Sequence, residues 1–182
     1  MSVKITYFVH GTTIDNENRI SSGWKDVELS ELGIEEAKRL KEETEDRIFD
    51  VVFCSDLKRA SDSAEFAFEG IYKIIKDDRL RECNYGTLNG APNSIVEPMC
   101  ESECLYEKFP EGESYEDVKV RMADFLEFLK KNYDGKHVAI LAHKATQLSL
   151  DVLLKGKTWE QALAEDWRKI KAWQPGWEYI LD

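Results

Sequence analysis

Three histidines occur in the chain, and two of them stand where a buried strand would run out. His10 closes the run Lys4 to Val9, and His143 follows Val138 to Ala142. Each sequence is short, apolar and rich in β-branched or aromatic residues, as expected of strands buried on both faces of a parallel sheet. Parallel strands carry their carboxyl ends to one edge, the edge where open α/β sheets bind ligands. Two of only three histidines at equivalent strand ends are more than chance placement suggests. Ser55 ends a third apolar run, Val51 to Cys54, and Arg59 lies one helical turn beyond it. A guanidinium at the start of a helix, beside free N–H groups, suits an anion such as phosphate. The plainer alternative is that each histidine only caps its strand and that Arg59 is a solvated surface residue. His137 sits six residues before His143, roughly 20 Å away along a strand at about 3.3 Å per residue, and reads as an exposed strand start.

The rest of the pattern supplies elements to hold these residues. Helices are expected from an N-cap at Ser30 to near Asp46, from after Ser55 to Phe68 with Gly70 stopping it, and from Ser114 to Asp134-Gly135. Further helices are expected over Thr146–Leu154 and Trp159–Trp167, with strands over Tyr72–Ile75 and Glu178–Leu181. Between about Leu80 and Gly112 lie three of the four prolines, at 92, 98 and 110. This stretch reads as an irregular insertion, of the kind that in compact domains often carries function. Strands alternating with helices predict a single domain over residues 1–182, an α/β fold built as a three-layer α/β/α sandwich on a mostly parallel central sheet.

Composition narrows the function. Leu, Ile, Val and Phe make up a quarter of the 182 residues, enough for one sizeable core. A net charge of −11 repels phosphate backbones, so neither nucleic acid nor an anionic membrane is an expected partner. No apolar run approaches the roughly 20 residues of a membrane helix, and no secretion signal is apparent, so a cytoplasmic location is expected. The cysteines at 54, 83, 100 and 104 read as reduced thiols, and no histidine near Cys100 and Cys104 completes a zinc site of familiar spacing.

Taken in order, His10-Gly11-Thr12-Thr13 with Asn16 and Gly23-Trp24, Leu29-Ser30-Glu31-Leu32-Gly33, Ser55-Asp56-Leu57-Lys58-Arg59-Ala60, Arg81-Glu82-Cys83-Asn84-Tyr85-Gly86, Gly112-Glu113-Ser114 and the strand delivering His143 are a set. Over nearly its whole length the chain resembles the histidine phosphatase superfamily, the phosphoglycerate mutase-like group. The resemblance implies phosphoryl transfer through a phosphohistidine, with no metal or other cofactor and a small phosphorylated substrate. His10 would be the nucleophile, Arg59, His143, Thr13 and Asn16 would hold the phosphoryl oxygens beside Gly11, and Glu82 would be the general acid and base. Glu113 and Ser114 would either face the substrate or, with Ser114 as N-cap, simply start a helix. Two positions depart from the family. Val9 stands where an arginine precedes the nucleophile, and Lys144 stands where glycine commonly follows the second histidine. Lys144 is therefore expected either to supply part of the missing positive charge or to stand solvated beside a weakened site. Mutases of the family are generally longer, which favours a phosphatase over a mutase, while Val9 supports a third reading, a weakened binding protein.

Overall fold

A computed structural model describes all 182 residues. The chain runs β1 (Val3–Val9), α1 (Ile14–Glu17), β2 (Ile20–Ser21), α2 (Glu31–Glu43), β3 (Val51–Cys54), α3 (Lys58–Phe68), β4 (Ile74–Lys76), β5 (Ala91–Pro92) and α4 (Asn93–Cys100). It continues through α5 (Tyr115–Asn132), β6 (His137–Ala142), α6 (Lys144–Lys155), α7 (Trp159–Ala164), α8 (Trp167–Ile170) and β7 (Trp177–Leu181). Five strands form one sheet in the order β4-β3-β6-β1-β7. The first four are parallel, and β7 closes the edge antiparallel to β1.

The period-two alternation of the strands divides the interior between two helical layers. Ile5 and Tyr7 of β1, Phe53 of β3 and Val138 and Ile140 of β6 pack with Met122, Phe125 and Leu129 of α5 and Leu148 of α6. Phe8, Val52, Cys54, Ala139 and Leu141 point the other way, onto Leu40 of α2 and the alanine stripe Ala60, Ala64 and Ala67 of α3. The α/β/α sandwich expected from the sequence is the observed fold. Ser30 caps α2 by accepting the Gly33 N–H at 3.2 Å, and Ser114 caps α5 in a reciprocal pair with Asp117. Ser114 thus belongs to the helix start, and Glu113 pairs with Arg121 at 3.0 Å.

Four expectations need correction. The stretch from 80 to 112 is not wholly irregular, because it contains α4 and a ribbon in which β5 pairs with β2. Pro98 lies inside α4, yet Val96 and Cys100, one turn apart, are buried, and that packing outweighs one lost backbone bond. β4 starts two residues late because Tyr72 packs against Phe49 and Phe68 while its hydroxyl donates to Arg47 O at 2.9 Å. The segment Trp159–Trp167 is two helices, broken where Asp166 becomes the N-cap of α8. His137 is half-buried, with Nε2 2.8 Å from Thr6 Oγ1 and its ring against Phe49 at 4.8 Å between centroids.

Candidate active site

Parallel register does most of the assembly. Val9 pairs with Ala142, so the next residue of each strand leaves the sheet side by side, and His10 N–H donates to Ala142 O at 3.2 Å. The rings of His10 and His143 come to 5.0 Å between centroids. They line a cleft of about 290 Å³ together with Val9, Thr12, Asn16, Ser22, Gly23, Arg59, Glu82, Tyr85, Lys144, Trp167 and Arg168, with Asn93 and Glu97 at its rim.

The state of His10 follows from its one hydrogen bond. Nδ1 lies 2.7 Å from Gly11 O. A carbonyl only accepts, so Nδ1 carries the proton and Nε2 keeps the lone pair. Burial first, then the charge of Arg59, pushes the pKa of His10 down to about 3. A neutral ring with a fixed tautomer is the form in which imidazole is a nucleophile.

His143 is fully buried, and neither ring nitrogen has a partner. Its proton affinity is driven well below the usual histidine range by burial first, then by Arg59 and His10. The backbone around it is well tied: Tyr7 Oη donates to His143 O at 2.7 Å, and Thr146 Oγ1 accepts its N–H at 3.3 Å. A buried donor left open by an otherwise satisfied frame costs about 1–3 kcal/mol, a cost that a bound anion relieves.

Arg59 comes from the second residue of α3 and is buried. Its guanidinium donates to Gly23 O at 2.7 Å and Lys25 O at 3.2 Å, which fixes it while leaving three N–H groups. Ser55 does not face the cleft. Its Oγ accepts the Leu57 N–H at 3.2 Å and shapes the turn into α3.

Glu82 lies across the start of α6. Oε1 accepts from Cys83 N at 2.8 Å and Ala145 N at 3.1 Å, and Oε2 accepts from Lys144 N at 3.1 Å. Its carbonyl is held by Trp24 Nε1 and Arg121 Nη2. Arg81 does not neutralise it, since that guanidinium forms a two-pronged pair with Asp56 at 2.7 and 2.6 Å.

The remaining expected residues divide. Asn16 and Lys144 line the cleft. Thr13 is buried in the reciprocal cap of α1, accepting Asn16 N–H at 3.0 Å, and its neighbour Thr12 is the one that faces the cleft. Gly11 lies on an adjoining cavity, and its role is close packing: a Cβ there would stand 2.3 Å from Gly33 O, and a Cβ on Gly33 would stand 1.9 Å from Thr12 O. The Lys144 ammonium is 3.9 Å from Asp166 Oδ2. Arg168 was not visible from the sequence pattern. Only the Asp166-x-Arg168 spacing at a helix break signals it, because an N-cap carboxylate there can also grip the arginine two residues on.

This arrangement, a neutral strand-end histidine beside a buried histidine, an arginine and a fixed carboxylate at the carboxyl edge of a parallel sheet, has the parts of a phosphoryl-transfer centre. Comparison with known proteins agrees. Residues 7–169 match the profile of the histidine phosphatase superfamily (branch 1), and the chain belongs to that family. It is 29% identical over 164 residues to a 2,3-bisphosphoglycerate-dependent phosphoglycerate mutase of Methylorubrum extorquens, covering 82% of this chain and 77% of the mutase. It is 35% identical over 134 residues to the fructose-2,6-bisphosphatase TIGAR of Xenopus tropicalis, covering 69% of this chain and 49% of that protein. A mycobacterial glucosyl-3-phosphoglycerate phosphatase, solved as a complex with VO3, superposes with a TM-score of 0.73 at 25% identity over 90% of this chain and 86% of its own. Family and fold therefore include both mutases and phosphatases. No helix is long and apolar enough to cross a membrane.

Proposed function

We propose that the protein hydrolyses a small phosphomonoester through a phosphohistidine on His10. The observation that carries this reading is the fixed tautomer of His10, with Nδ1–H on Gly11 O and the Nε2 lone pair left for attack. In the first step Nε2 forms a bond to phosphorus and the ester oxygen leaves, taking a proton from Glu82. In the second, water adds to phosphorus, its proton goes to Glu82, the P–N bond breaks, and inorganic phosphate departs. Glu82 Oε2 accepts only one backbone N–H and so keeps a lone pair for that proton. Arg59 and the one N–H of the neutral His143 ring take phosphoryl oxygens, with Asn16 at the rim.

Hydrolysis is favoured over transfer to a second metabolite because the rim residues Asn16 and Glu97 are exposed, so water has access to the phosphoenzyme. The test is acid-labile phosphate on the protein after incubation with a phosphomonoester, followed by release with and without added bisphosphoglycerate. Phosphate release without that additive supports a phosphatase; release only as a transferred ester supports a mutase. Absence of any phosphoprotein overturns both and leaves a binding protein.

A further inference from the structure

The family places an arginine immediately before its nucleophile, and here that place holds Val9, which lends the cleft no charge. Lining the same cleft, from a different part of the chain, stands Arg168 of α8. Its guanidinium lies over the Trp167 ring, 4.5 Å from the centroid, and is gripped on two sides. Nη1 donates to Asp166 Oδ1 at 2.8 Å and Nη2 to Gln147 Oε1 at 3.1 Å. Asp166 also accepts the Arg168 backbone N–H at 3.1 Å, while the same Gln147 Oε1 accepts Trp167 Nε1–H at 3.1 Å. These bonds occupy two of the five guanidinium N–H groups and leave three.

We infer that Arg168 replaces the missing arginine, reaching the transferring phosphoryl group from the C-terminal helix rather than from β1. The inference rests on the proposed function and names a further residue of the same site. Arg168 suits the task better than Lys144. The Lys144 ammonium is directed at Asp166, whose side chain is buried and whose Oδ2 has no hydrogen-bond donor. Two cations, Arg168 at 2.8 Å and Lys144 at 3.9 Å, thus face the single carboxylate of Asp166, so the cluster keeps net positive charge beside the cleft. A guanidinium also offers a planar fork that matches two phosphoryl oxygens, where an ammonium offers a point charge. The positive field of Arg168 reaches both catalytic rings, adding to the effects of burial and Arg59 that keep His10 and His143 neutral. Asp166 and Gln147 are positioning residues, since they act through Arg168.

Orthovanadate binding and phosphomonoester turnover test the assignment together. Arg168→Gln should weaken orthovanadate binding and raise KM about tenfold or more, with folding checked by thermal unfolding. Arg168→Lys should recover only part, because the fork is lost. Val9→Arg added to Arg168→Gln should restore most of the affinity, and in the protein that keeps Arg168 it should raise affinity by a clearly smaller factor. If Arg168→Gln and Arg168→Lys both fold and bind orthovanadate within twofold of wild type, the assignment is overturned while the phosphatase reading stands. If Val9→Arg improves both backgrounds equally, Arg168 does not occupy that role. A wild-type protein that neither binds orthovanadate nor forms a phosphoenzyme overturns the functional reading and this inference with it.

Discussion

Strand β6 begins on one histidine and is followed at once by another, and the two ends behave differently. At the amino end, His137 is half-buried and satisfied: Thr6 Oγ1 bonds its Nε2, Phe49 covers its ring, and Asp50 accepts its backbone N–H at 2.8 Å. At the carboxyl end, one residue past the strand, His143 is fully buried with neither ring nitrogen bonded, although its backbone is pinned on both sides. The same side chain is a structural joint in one place and an open donor in the other. Burial without a partner is what separates them, because the folded chain retains a group whose cost only a ligand offsets.

The largest effect expected from this contrast is at His10, the partner of His143. His10→Ala should abolish both phosphoenzyme and turnover while changing unfolding free energy by no more than about 1 kcal/mol, since a strand-end ring adds little packing. Retained turnover in that variant would break the assignment. Glu82→Gln should come next. The acid step should slow by about 10²–10⁴ for alkyl phosphates and far less for p-nitrophenyl phosphate, whose leaving group needs no proton, in single-turnover measurements. At His143, replacement by Asn should lower kcat/KM by about 10²–10³, the range for losing one preorganised oxyanion donor.

Acid pH probes the same contrast through folding. The lowered pKa values of His10 and His143 mean that the unfolded chain, near pKa 6.5, binds protons that the folded chain does not. Stability should therefore fall as pH drops below about 6.5, with a slope of up to about 1.4 kcal/mol per pH unit for each ring. Urea titrations across pH 4.5 to 7 should show a shallower slope in His143→Asn, and an unchanged slope would remove His143 from the account. The smallest effect belongs to His137→Asn, which should leave kcat/KM unchanged and cost about 1 kcal/mol of stability, the worth of one hydrogen bond.

Strand-end position made His10 and His143 readable from sequence, because apolar runs mark buried strands and parallel pairing carries their ends together. Arg59 was readable for a similar reason, as the first turn of a helix is defined by what precedes it. Glu82 was another matter: nothing in the local pattern distinguishes it from the other acidic residues, and only family resemblance singled it out, since its position depends on the start of α6 some sixty residues later. The resemblance points to Thr13, whereas Thr12 lines the cleft and Thr13 caps α1, because a one-residue difference in the turn after β1 decides which side chain faces the cleft. Arg168 was hidden by treating Trp159–Trp167 as one helix, and the buried side chain of Asp166, which forces the break, is a tertiary fact.

The close fit of the Gly11–Thr12 backbone against Gly33 has a consequence for how such a site can diversify. Backbone touches backbone there, with no side chain between them that could change rotamer and yield. The nucleophile is thus mounted on the stiff jaw of the cleft, and mutation near it can move it only by prising β1 from α2. The opposite jaw, where Asn93 and Glu97 stand on α4 and Arg168 on α8, is made of side chains on short helices joined to the frame by loops. New substrate preferences should accordingly accumulate on that side, by single replacements that leave the phosphorus-attacking apparatus where it is. Val9 with Arg168 fits that pattern, a charge relinquished by the jaw that cannot adjust and taken up by the one that can.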